Sequence, residues 1–540
     1  MLNGNGRRAL SALAATLSAV GLAACGVLAP ARDVSPSAAA RQAGSPTAAV
    51  PAGLGDYYAQ DVEWYSCGKT GMDEVGGKGD FSCAYVTVPL DYTEPDGQRI
   101  EIAMKRRSAD AKPIGTLFIN PGGPGGSGIS LVTTIDGYFS NDLLASYDVI
   151  GFDPRGVGNS TAIDCLTDAE LDELRSGSEL DRAIGAADTD GAVDAAGLQA
   201  EVVEYAEWFG DKCEKNTPAG LLDHVDTVSA ARDLDVLRAV VGEEVLTYLG
   251  YSYGTYLGAT YAELFPANAG RLVLDGGLDP TLSAGEVTLG QAAGFESALR
   301  TYVADCQSGD NCPLSGDVDA GVAQIQDLLK VTMDAPIPTS DPDRPLTRSL
   351  AGSAIVNMMY RSESWSTLTE GLDQAMNQQD GSVLLSTADL FASRQSDGSY
   401  RSNAGEAITV INCLDYPVSG DAESWETERD ALKEASPTFG ADMGYSDLFC
   451  QTWGHESTRE RTEIHARGAA PMLVIGTTGD PATPYVWSQA LAAQLDDARL
   501  VTWRGNGHTA YGRSDDCVTK AVDDFLLAGV LPEDGLVCGR

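Results

Sequence analysis

Histidine and basic side chains are scarce in this sequence. Only four of its 540 residues are histidine, and 36 Lys and Arg residues stand against 78 Asp and Glu residues, a formal net charge of −42. Such an excess of negative charge argues against nucleic acid or anionic lipid bound through a basic face. The simplest reading is an acidic, soluble surface around an ordinary core, since 43% of the residues are hydrophobic. Alternatively, part of the charge attracts cationic substrates such as free peptide N-termini.

Beyond its N-terminus the sequence has no apolar run long enough to span a bilayer. The run at 9–24 is short, follows Arg7 and Arg8, and is followed by Cys25. Small residues before a cysteine are typical of a bacterial lipoprotein signal, so we predict removal of 1–24 and lipid attachment to Cys25. A plain secretory signal is the alternative. Both predict an exported protein, either secreted or anchored at the cell surface with no other membrane contact.

The cysteines fit export better than metal binding. No Cys-x-x-Cys occurs and the histidines do not cluster with the cysteines, so we predict neither a metal site nor a cofactor. Without Cys25, ten cysteines remain, an even number that favours disulfides in an exported chain. Sequence alone leaves their connectivity open, but neighbours along the chain suggest the pairs Cys67–Cys83, Cys165–Cys213, Cys306–Cys312, Cys413–Cys450 and Cys517–Cys538.

Short apolar runs alternate with amphipathic segments in two parts of the chain. The runs predict strands at 85–90, 99–106, 115–120, 147–152, 245–249, 271–274, 471–476 and 499–503. This alternation predicts a mostly parallel sheet with helices on both faces. Between the two parts the strand pattern stops and helical spacing prevails. The predicted organisation is a signal peptide at 1–24, a tether at 25–55, a first core segment at 56–280, a helical insertion at 281–468 and a second core segment at 469–540.

A Gly-x-Ser-x-Gly motif lies between a predicted strand and a predicted helix. It reads Gly250-Tyr-Ser-Tyr-Gly254, and it predicts that Ser252 stands on a tight turn with its hydroxyl raised above the sheet. The flanking glycines fit such a turn, because the backbone there leaves no room for a Cβ. We therefore expect Ser252 to be a nucleophile, which requires a base and an acid.

His508 is the expected base. It follows the last predicted strand of the sheet in a Gly-rich loop, where sites form in open parallel sheets. The others, His224, His455 and His465, either precede the serine or stand before the penultimate strand, and we expect surface or structural roles for them. Two acids are candidates: Asp480 after the penultimate strand and Asp275 after the strand 271–274. We prefer Asp480 because it follows the strand just before the histidine's strand, which is the usual arrangement of this triad. We expect Asp275 to make a turn through its own backbone.

The oxyanion of acyl transfer needs two backbone N–H donors. Tyr253, directly after the serine, is one candidate. The Gly-rich loop Asn120–Ser127 is the expected source of the other, since glycines let its backbone approach a substrate. A phosphate-binding loop is the weaker alternative, because the loop lacks both a Lys-Ser/Thr ending and Gly-x-Gly-x-x-Gly spacing. The motif Asp153–Ser160 after the next strand is expected to be structural, with Arg155 bridging loops.

Together these motifs carry a family resemblance. The sequences Pro-Gly-Gly-Pro-Gly from 121, Asp-Pro-Arg-Gly-Val-Gly from 153, Gly-Tyr-Ser-Tyr-Gly from 250, Gly-Asp at 479 and Gly-His at 507 stand in the order of the α/β-hydrolase fold. From about residue 60 onward the chain resembles the secreted tripeptidyl aminopeptidases of actinobacteria, relatives of the proline iminopeptidases. The resemblance implies Ser252 as nucleophile, Asp480 as acid, His508 as base, and Gly123 and Tyr253 as oxyanion donors. One departure stands at Pro121, where proline iminopeptidases have histidine, and it weakens the case for strict proline specificity.

The resemblance also implies a substrate, namely a peptide or protein with a free N-terminus, and an insertion that acts as a lid. An exopeptidase needs a carboxylate to hold the terminal ammonium group. Asp415 and Glu296 are candidate anchors, and Thr483 is expected to line the same pocket. An esterase or lipase with the same three catalytic groups is the alternative, for which an apolar lid would be expected.

Overall fold

A computed structural model describes residues 49–67, 79–177 and 194–539. The predicted signal peptide, Cys25 and nearly all of the predicted tether lie outside these residues. Within the described ranges, no helix combines the length and the apolar character that a bilayer crossing requires.

One ten-stranded sheet organises the fold, in the order β1-β2-β3-β5-β4-β6-β7-β8-β9-β10. Pairing is antiparallel from β1 to β3 and between β3 and β5, and parallel across the rest of the sheet. The strands are β1 Tyr65–Ser66, β2 Phe81–Pro89, β3 Arg99–Arg107, β4 Gly115–Asn120, β5 Tyr147–Phe152, β6 Leu246–Tyr251, β7 Ala269–Asp275, β8 Met472–Gly479, β9 Ala498–Asn506 and β10 Leu536–Cys538.

Alternate side chains of the central strands enter two different hydrophobic cores. In β4, Phe118 joins the cluster on one face of the sheet, while Leu117 and Ile119 join the cluster on the other. This alternation follows from the two-residue period of a strand, and burial on both faces explains why the strand is apolar throughout. The predicted mostly parallel sheet covered on both faces is confirmed.

Helices of the first core segment are α1 Gly55–Tyr58, α2 Gly128–Thr134, α3 Asn141–Ser146, α4 Asp168–Gly177, α5 Ala195–Asn216, α6 Thr227–Val240 and α7 Tyr253–Leu264. Eight more follow before β8: α8 Ala284–Ser308, α9 Val318–Asp334, α10 Arg348–Met359, α11 Trp365–Asp373, α12 Ser382–Phe391, α13 Ala404–Asp415, α14 Ala422–Ala435 and α15 Ser446–Thr452. The second core segment adds α16 Tyr485–Gln494 and α17 Asp516–Ala528. Short helical turns lie at Ile135–Gly137, Leu221–Asp223, Ser362–Ser364, Gln374–Gln378 and Gly440–Met443.

Between β7 and β8 the structure forms helices and turns, and the β-pairing there is limited to isolated bridges. Much of this region encloses a hydrophobic cluster of its own, which includes Leu299, Tyr302, Ile355 and Leu368. Helix α13 is an exception, because Ala407, Val410 and Ile411 join the cluster on the sheet. The segment 281–468 is therefore helical, as expected, while its boundaries as a domain stay a prediction.

Five disulfides are present among the described residues, and each of the predicted pairs is confirmed: Cys67–Cys83, Cys165–Cys213, Cys306–Cys312, Cys413–Cys450 and Cys517–Cys538. Every bridge joins cysteines that are neighbours along the sequence. The bridged cysteines are between 6 and 48 residues apart, so the bridges constrain neighbouring segments and not the two ends of the chain.

Candidate active site

Ser252 stands on the sharp turn that the motif predicts, between the end of β6 and the start of α7. Its backbone has φ 57° and ψ −127°, a conformation that costs a non-glycine residue about 1–3 kcal/mol. A Cβ on Gly250 would overlap the Gly254 carbonyl oxygen, and one on Gly254 would lie 2.9 Å from the Asn120 side-chain oxygen. The two motif glycines are therefore required by the fold of the turn itself. The Ser252 N–H donates to the Asp275 carbonyl oxygen at 2.8 Å, which ties the turn to β7.

His508 and Asp480 meet at the carboxyl ends of β9 and β8. His508 Nδ1 lies 2.9 Å and 3.0 Å from the two carboxylate oxygens of Asp480. The Asp480 side chain is completely buried, whereas that of His508 keeps 12% of its surface exposed. Asp480 is thus held inside the protein while part of the His508 ring stays accessible, an arrangement suited to a general base.

Backbone and hydroxyl donors surround the Asp480 carboxylate. Besides His508, it accepts hydrogen bonds from the N–H groups of Ala482, Thr483 and Thr509 and from the Thr483 hydroxyl, at 2.9–3.1 Å. Thr483 Oγ1 also lies 3.4 Å from His508 Nδ1. We predicted Thr483 as a pocket residue, and the structure places it against the acid–base pair.

The second acid candidate, Asp275, holds the loop that follows the histidine. Its carboxylate accepts hydrogen bonds from the N–H groups of Ala510 at 3.0 Å and Tyr511 at 2.7 Å. Burial raises its pKa to about 6, although these N–H groups and the nearby His508 act in the opposite direction. The expectation that Asp275 makes a turn through its own backbone is therefore wrong, because its donors come from a segment about 235 residues later.

The Gly-rich loop lies against the serine turn. A Cβ on Gly122 would overlap the Tyr251 carbonyl oxygen and lie 2.8 Å from Ser252 Cβ, so only glycine allows this approach. The Gly122 N–H already donates to the Asn120 side chain at 2.9 Å. Gly123 is the next residue of the loop, and Tyr253 N lies only 3.0 Å from the position of a Cβ on Gly122. The structure therefore brings the predicted oxyanion loop to the predicted nucleophile.

The other three histidines make contacts elsewhere. His455 Nδ1 lies 2.7 Å from Asp223, and His465 Nδ1 lies 2.9 Å from the Gln494 carbonyl oxygen. The His224 carbonyl oxygen accepts a hydrogen bond from Arg155. Arg155 also donates to the carbonyl oxygens of Pro89 and Leu90 and pairs with Asp233, which accounts for the loop-bridging role predicted for it.

Neither candidate anchor for a substrate ammonium group stands free. Glu296 accepts hydrogen bonds from the Ser436 hydroxyl at 2.9 Å and from the N–H and hydroxyl of Thr438 at 3.1 Å. Asp415 accepts from the N–H and hydroxyl of Thr227 at 2.8 Å and 2.5 Å, and burial raises its pKa to about 6. Both carboxylates therefore bind their own chain, so the expectation that they hold the substrate has no support in these contacts.

Asp415 instead supports the residue after the serine. The Thr227 hydroxyl that bonds to Asp415 also forms a hydrogen bond with the Tyr253 hydroxyl.

Another carboxylate on α13, that of Glu406, accepts hydrogen bonds from the N–H groups of Cys165 at 3.2 Å and Leu166 at 2.7 Å, both on Oε1. Sequence reasoning missed these contacts, because no local pattern links residues so far apart in the chain.

This sheet order, with the serine turn after β6, the acid after β8 and the histidine after β9, defines an α/β-hydrolase. The family described as TAP-like protein matches residues 436–538. Serine protease Hip1 of Mycobacterium tuberculosis (strain ATCC 25618 / H37Rv) is 36% identical over 490 residues, which cover 89% of this chain and 91% of Hip1. The chain therefore belongs to the family of TAP-like α/β-hydrolases, and it is an enzyme of the serine hydrolase class.

Two further relatives differ in the activity that their names state. Carboxylesterase B of the same M. tuberculosis strain is 34% identical over 462 residues, covering 84% of this chain and 86% of that protein. Tripeptidyl aminopeptidase of Streptomyces coelicolor (strain ATCC BAA-471 / A3(2) / M145) is 29% identical over 476 residues, covering 84% and 82%. The resemblance drawn from the motifs is confirmed at the level of the family, and the family contains both peptidases and an esterase.

Proposed function

We propose that this protein is an exported serine aminopeptidase that removes short peptides, we expect tripeptides, from free N-termini. The observation that carries the proposal is the hydrogen bond between His508 Nδ1 and the buried Asp480, in a fold that also sets Ser252 on a strained strand-to-helix turn. Names of relatives, Serine protease Hip1 and Tripeptidyl aminopeptidase, support a peptide as the substrate.

In the proposed reaction, Ser252 Oγ attacks the carbonyl carbon of the scissile peptide bond. Since Asp480 accepts the Nδ1–H of His508, the other ring nitrogen, Nε2, is free to take the serine proton. The carbonyl oxygen becomes an oxyanion, which the N–H groups of Gly123 and Tyr253 stabilise. His508 then gives the proton to the leaving amine, the C–N bond breaks, and an acyl-enzyme remains.

Water completes the cycle. His508 Nε2 takes a proton from a water molecule whose oxygen attacks the acyl carbon, and the same oxyanion donors stabilise the second tetrahedral intermediate. Return of the proton to Ser252 Oγ breaks the ester bond and releases the short peptide as a carboxylic acid.

The proposal includes export, with 1–24 as signal peptide, Cys25 as the lipidated residue and 25–55 as a tether. Five disulfides among the described residues support an oxidising compartment. It also includes the insertion 281–468 as a lid that limits the length of the bound peptide. The lipid anchor has its own test. Replacing Cys25 with alanine should release the protein from the membrane fraction, and unchanged membrane association would contradict the anchor.

The aminopeptidase proposal is tested with a tripeptide p-nitroanilide whose N-terminus is either free or acetylated. Because a hydrogen bond to a charged group contributes about 1.5–3 kcal/mol, we expect acetylation to lower kcat/KM at least about tenfold. Mass spectrometry of a digested peptide mixture should then show losses of three residues from the N-terminus. Equal rates on the free and acetylated substrates would contradict an exopeptidase.

An esterase is the second candidate, favoured by the similarity to Carboxylesterase B. The same catalytic groups hydrolyse esters, because an alkoxide leaving group depends less on the proton that His508 donates than an amine does. Comparison of p-nitrophenyl acyl esters with the tripeptide substrates separates the two. Rapid ester hydrolysis without any peptide cleavage would favour the esterase and contradict the aminopeptidase.

A further inference from the structure

The residues that follow α10, still within the insertion, meet the loop that carries His508. The His508 N–H donates to the Tyr360 carbonyl oxygen at 2.8 Å. The next residue, Arg361, forms an isolated antiparallel bridge with Gly507. The insertion thus supplies a short strand-like contact directly to the backbone of the expected base.

The Tyr360 ring stands against the imidazole itself. The ring centroids of Tyr360 and His508 are 5.4 Å apart and the planes are nearly perpendicular, at 85°. On the insertion side, Tyr360 packs on Phe295 of α8, with ring centroids 5.4 Å apart. Phe295 belongs to the insertion's own hydrophobic cluster, and Tyr360 packs against that cluster. Packing against the hydrophobic cluster of the insertion therefore holds the Tyr360 ring in its place next to His508.

Further contacts hold this junction from both sides. Arg361 donates to the Tyr138 hydroxyl at 3.1 Å, and Arg513 donates to the His508 carbonyl oxygen while lying 3.4 Å from Glu363. Gly507 has φ 102°, and a Cβ there would lie 2.9 Å from the Tyr360 carbonyl oxygen. A glycine is required at this position because the two segments approach so closely.

We propose that Tyr360 is a positioning residue, which holds the His508 imidazole in the orientation that proton transfer from Ser252 requires. The inference rests on the proposed function, in which His508 is the base. Asp480 restrains the imidazole at Nδ1, and the nearly perpendicular contact with the Tyr360 ring adds a second restraint on its orientation. Correct orientation of a base contributes to the rate without affecting substrate affinity, so the effect belongs in kcat.

The test replaces the Tyr360 ring while its backbone contact to His508 remains. Tyr360→Leu and Tyr360→Met remove the aromatic contact but keep an apolar side chain, and methionine can fill an irregular gap if leucine folds poorly. Tyr360→Phe keeps the ring and removes only the hydroxyl. The matched control is Tyr302→Leu, which removes a buried tyrosine of the same cluster whose ring packs on Trp365 at 5.9 Å.

Each purified mature variant is measured for its thermal midpoint, its kcat and KM, and its rate of labelling by a fluorophosphonate probe. If the free energy of an aromatic pair of this kind is lost from the transition state, the rate falls by about 2- to 10-fold. We therefore expect Tyr360→Leu and Tyr360→Met to lower kcat and the labelling rate about 5- to 10-fold with KM unchanged. Tyr360→Phe should stay within about 2-fold of the unsubstituted enzyme. Tyr302→Leu should lower the thermal midpoint and leave both rates unchanged.

Several results would overturn the proposal. These are an unchanged labelling rate in both Tyr360→Leu and Tyr360→Met, a Tyr360→Phe variant as slow as either, or an equal loss in Tyr302→Leu. Failure of the proposed function looks different. In that case the unsubstituted enzyme shows no labelling that depends on Ser252, and the Tyr360 series has no rate to change.

Discussion

Replacement of Asp480 by asparagine perturbs the candidate site with almost no change in shape. The carboxylate accepts hydrogen bonds on both oxygens, and three of its partners are backbone N–H groups that cannot accept in return, those of Ala482, Thr483 and Thr509. Whichever of the two oxygens the asparagine NH₂ replaces, it would face at least one of these N–H donors. Its carbonyl oxygen fits best at the position of Oδ1, which has two of these N–H groups, and its NH₂ then lies opposite the Thr509 N–H.

The consequence reaches His508 through its tautomer. The NH₂ then competes for His508 Nδ1 as an acceptor, which favours the tautomer whose proton is on Nε2, the nitrogen that the proposed reaction needs as the base. Loss of this role in serine proteases lowers kcat by about 10⁴-fold, which corresponds to about 5.5 kcal/mol in the activation free energy. We expect a similar loss here, with KM nearly unchanged.

The assay is steady-state hydrolysis of the best substrate, with Asp275→Asn as the matched control. Asp275 is also buried and also accepts backbone N–H groups, but its partners belong to Ala510 and Tyr511. We expect Asp275→Asn to lose about tenfold or less, since asparagine keeps one acceptor oxygen for these groups. The opposite ranking of the two variants would refute the assignment of the acid.

Two further predictions concern Glu406 on α13 and Gly122 in the Gly-rich loop. Burial raises the pKa of Glu406 from 4.5 to about 7, so the folded state holds this proton more tightly and Glu406 alone lowers the free energy of unfolding between about pH 5 and pH 8. Glu406→Gln should make the fall in stability over this range smaller by on the order of 2 kcal/mol, measured by unfolding at the two pH values; an unchanged pH dependence would contradict the assignment. Gly122→Ala should lower kcat by about 10²-fold, because its methyl group would overlap the Tyr251 carbonyl oxygen. Gly405→Ala, whose added Cβ meets nothing within 4 Å, should leave kcat unchanged, and equal losses in both variants would contradict this reasoning.

Much of the fold could be predicted because its central strands carry a strong local signal. Strands β4 and β5 have the ends predicted from their apolar runs, since both are buried between two layers of helices. Strands β1 and β10 were not predicted. They have two and three residues, too few for any periodicity, and they exist because a longer neighbouring strand offers them hydrogen bonds.

The candidate site divides in the same way. Ser252, Asp480 and His508 could be found because each stands in a Gly-rich turn directly after a strand. The contacts of Asp275 with Ala510 and of Tyr360 with His508 join segments that are remote in sequence. No motif marks such contacts, because they depend on how the insertion and the sheet pack together.

The central claim is that Ser252 is the nucleophile of a serine hydrolase. Its most direct test is intact-protein mass spectrometry after exposure to a fluorophosphonate probe. We predict one added probe group in the unsubstituted enzyme, located on Ser252 by peptide mapping, and no addition in Ser252→Ala. Labelling that persists in Ser252→Ala, or no labelling of the folded unsubstituted enzyme, would contradict the account.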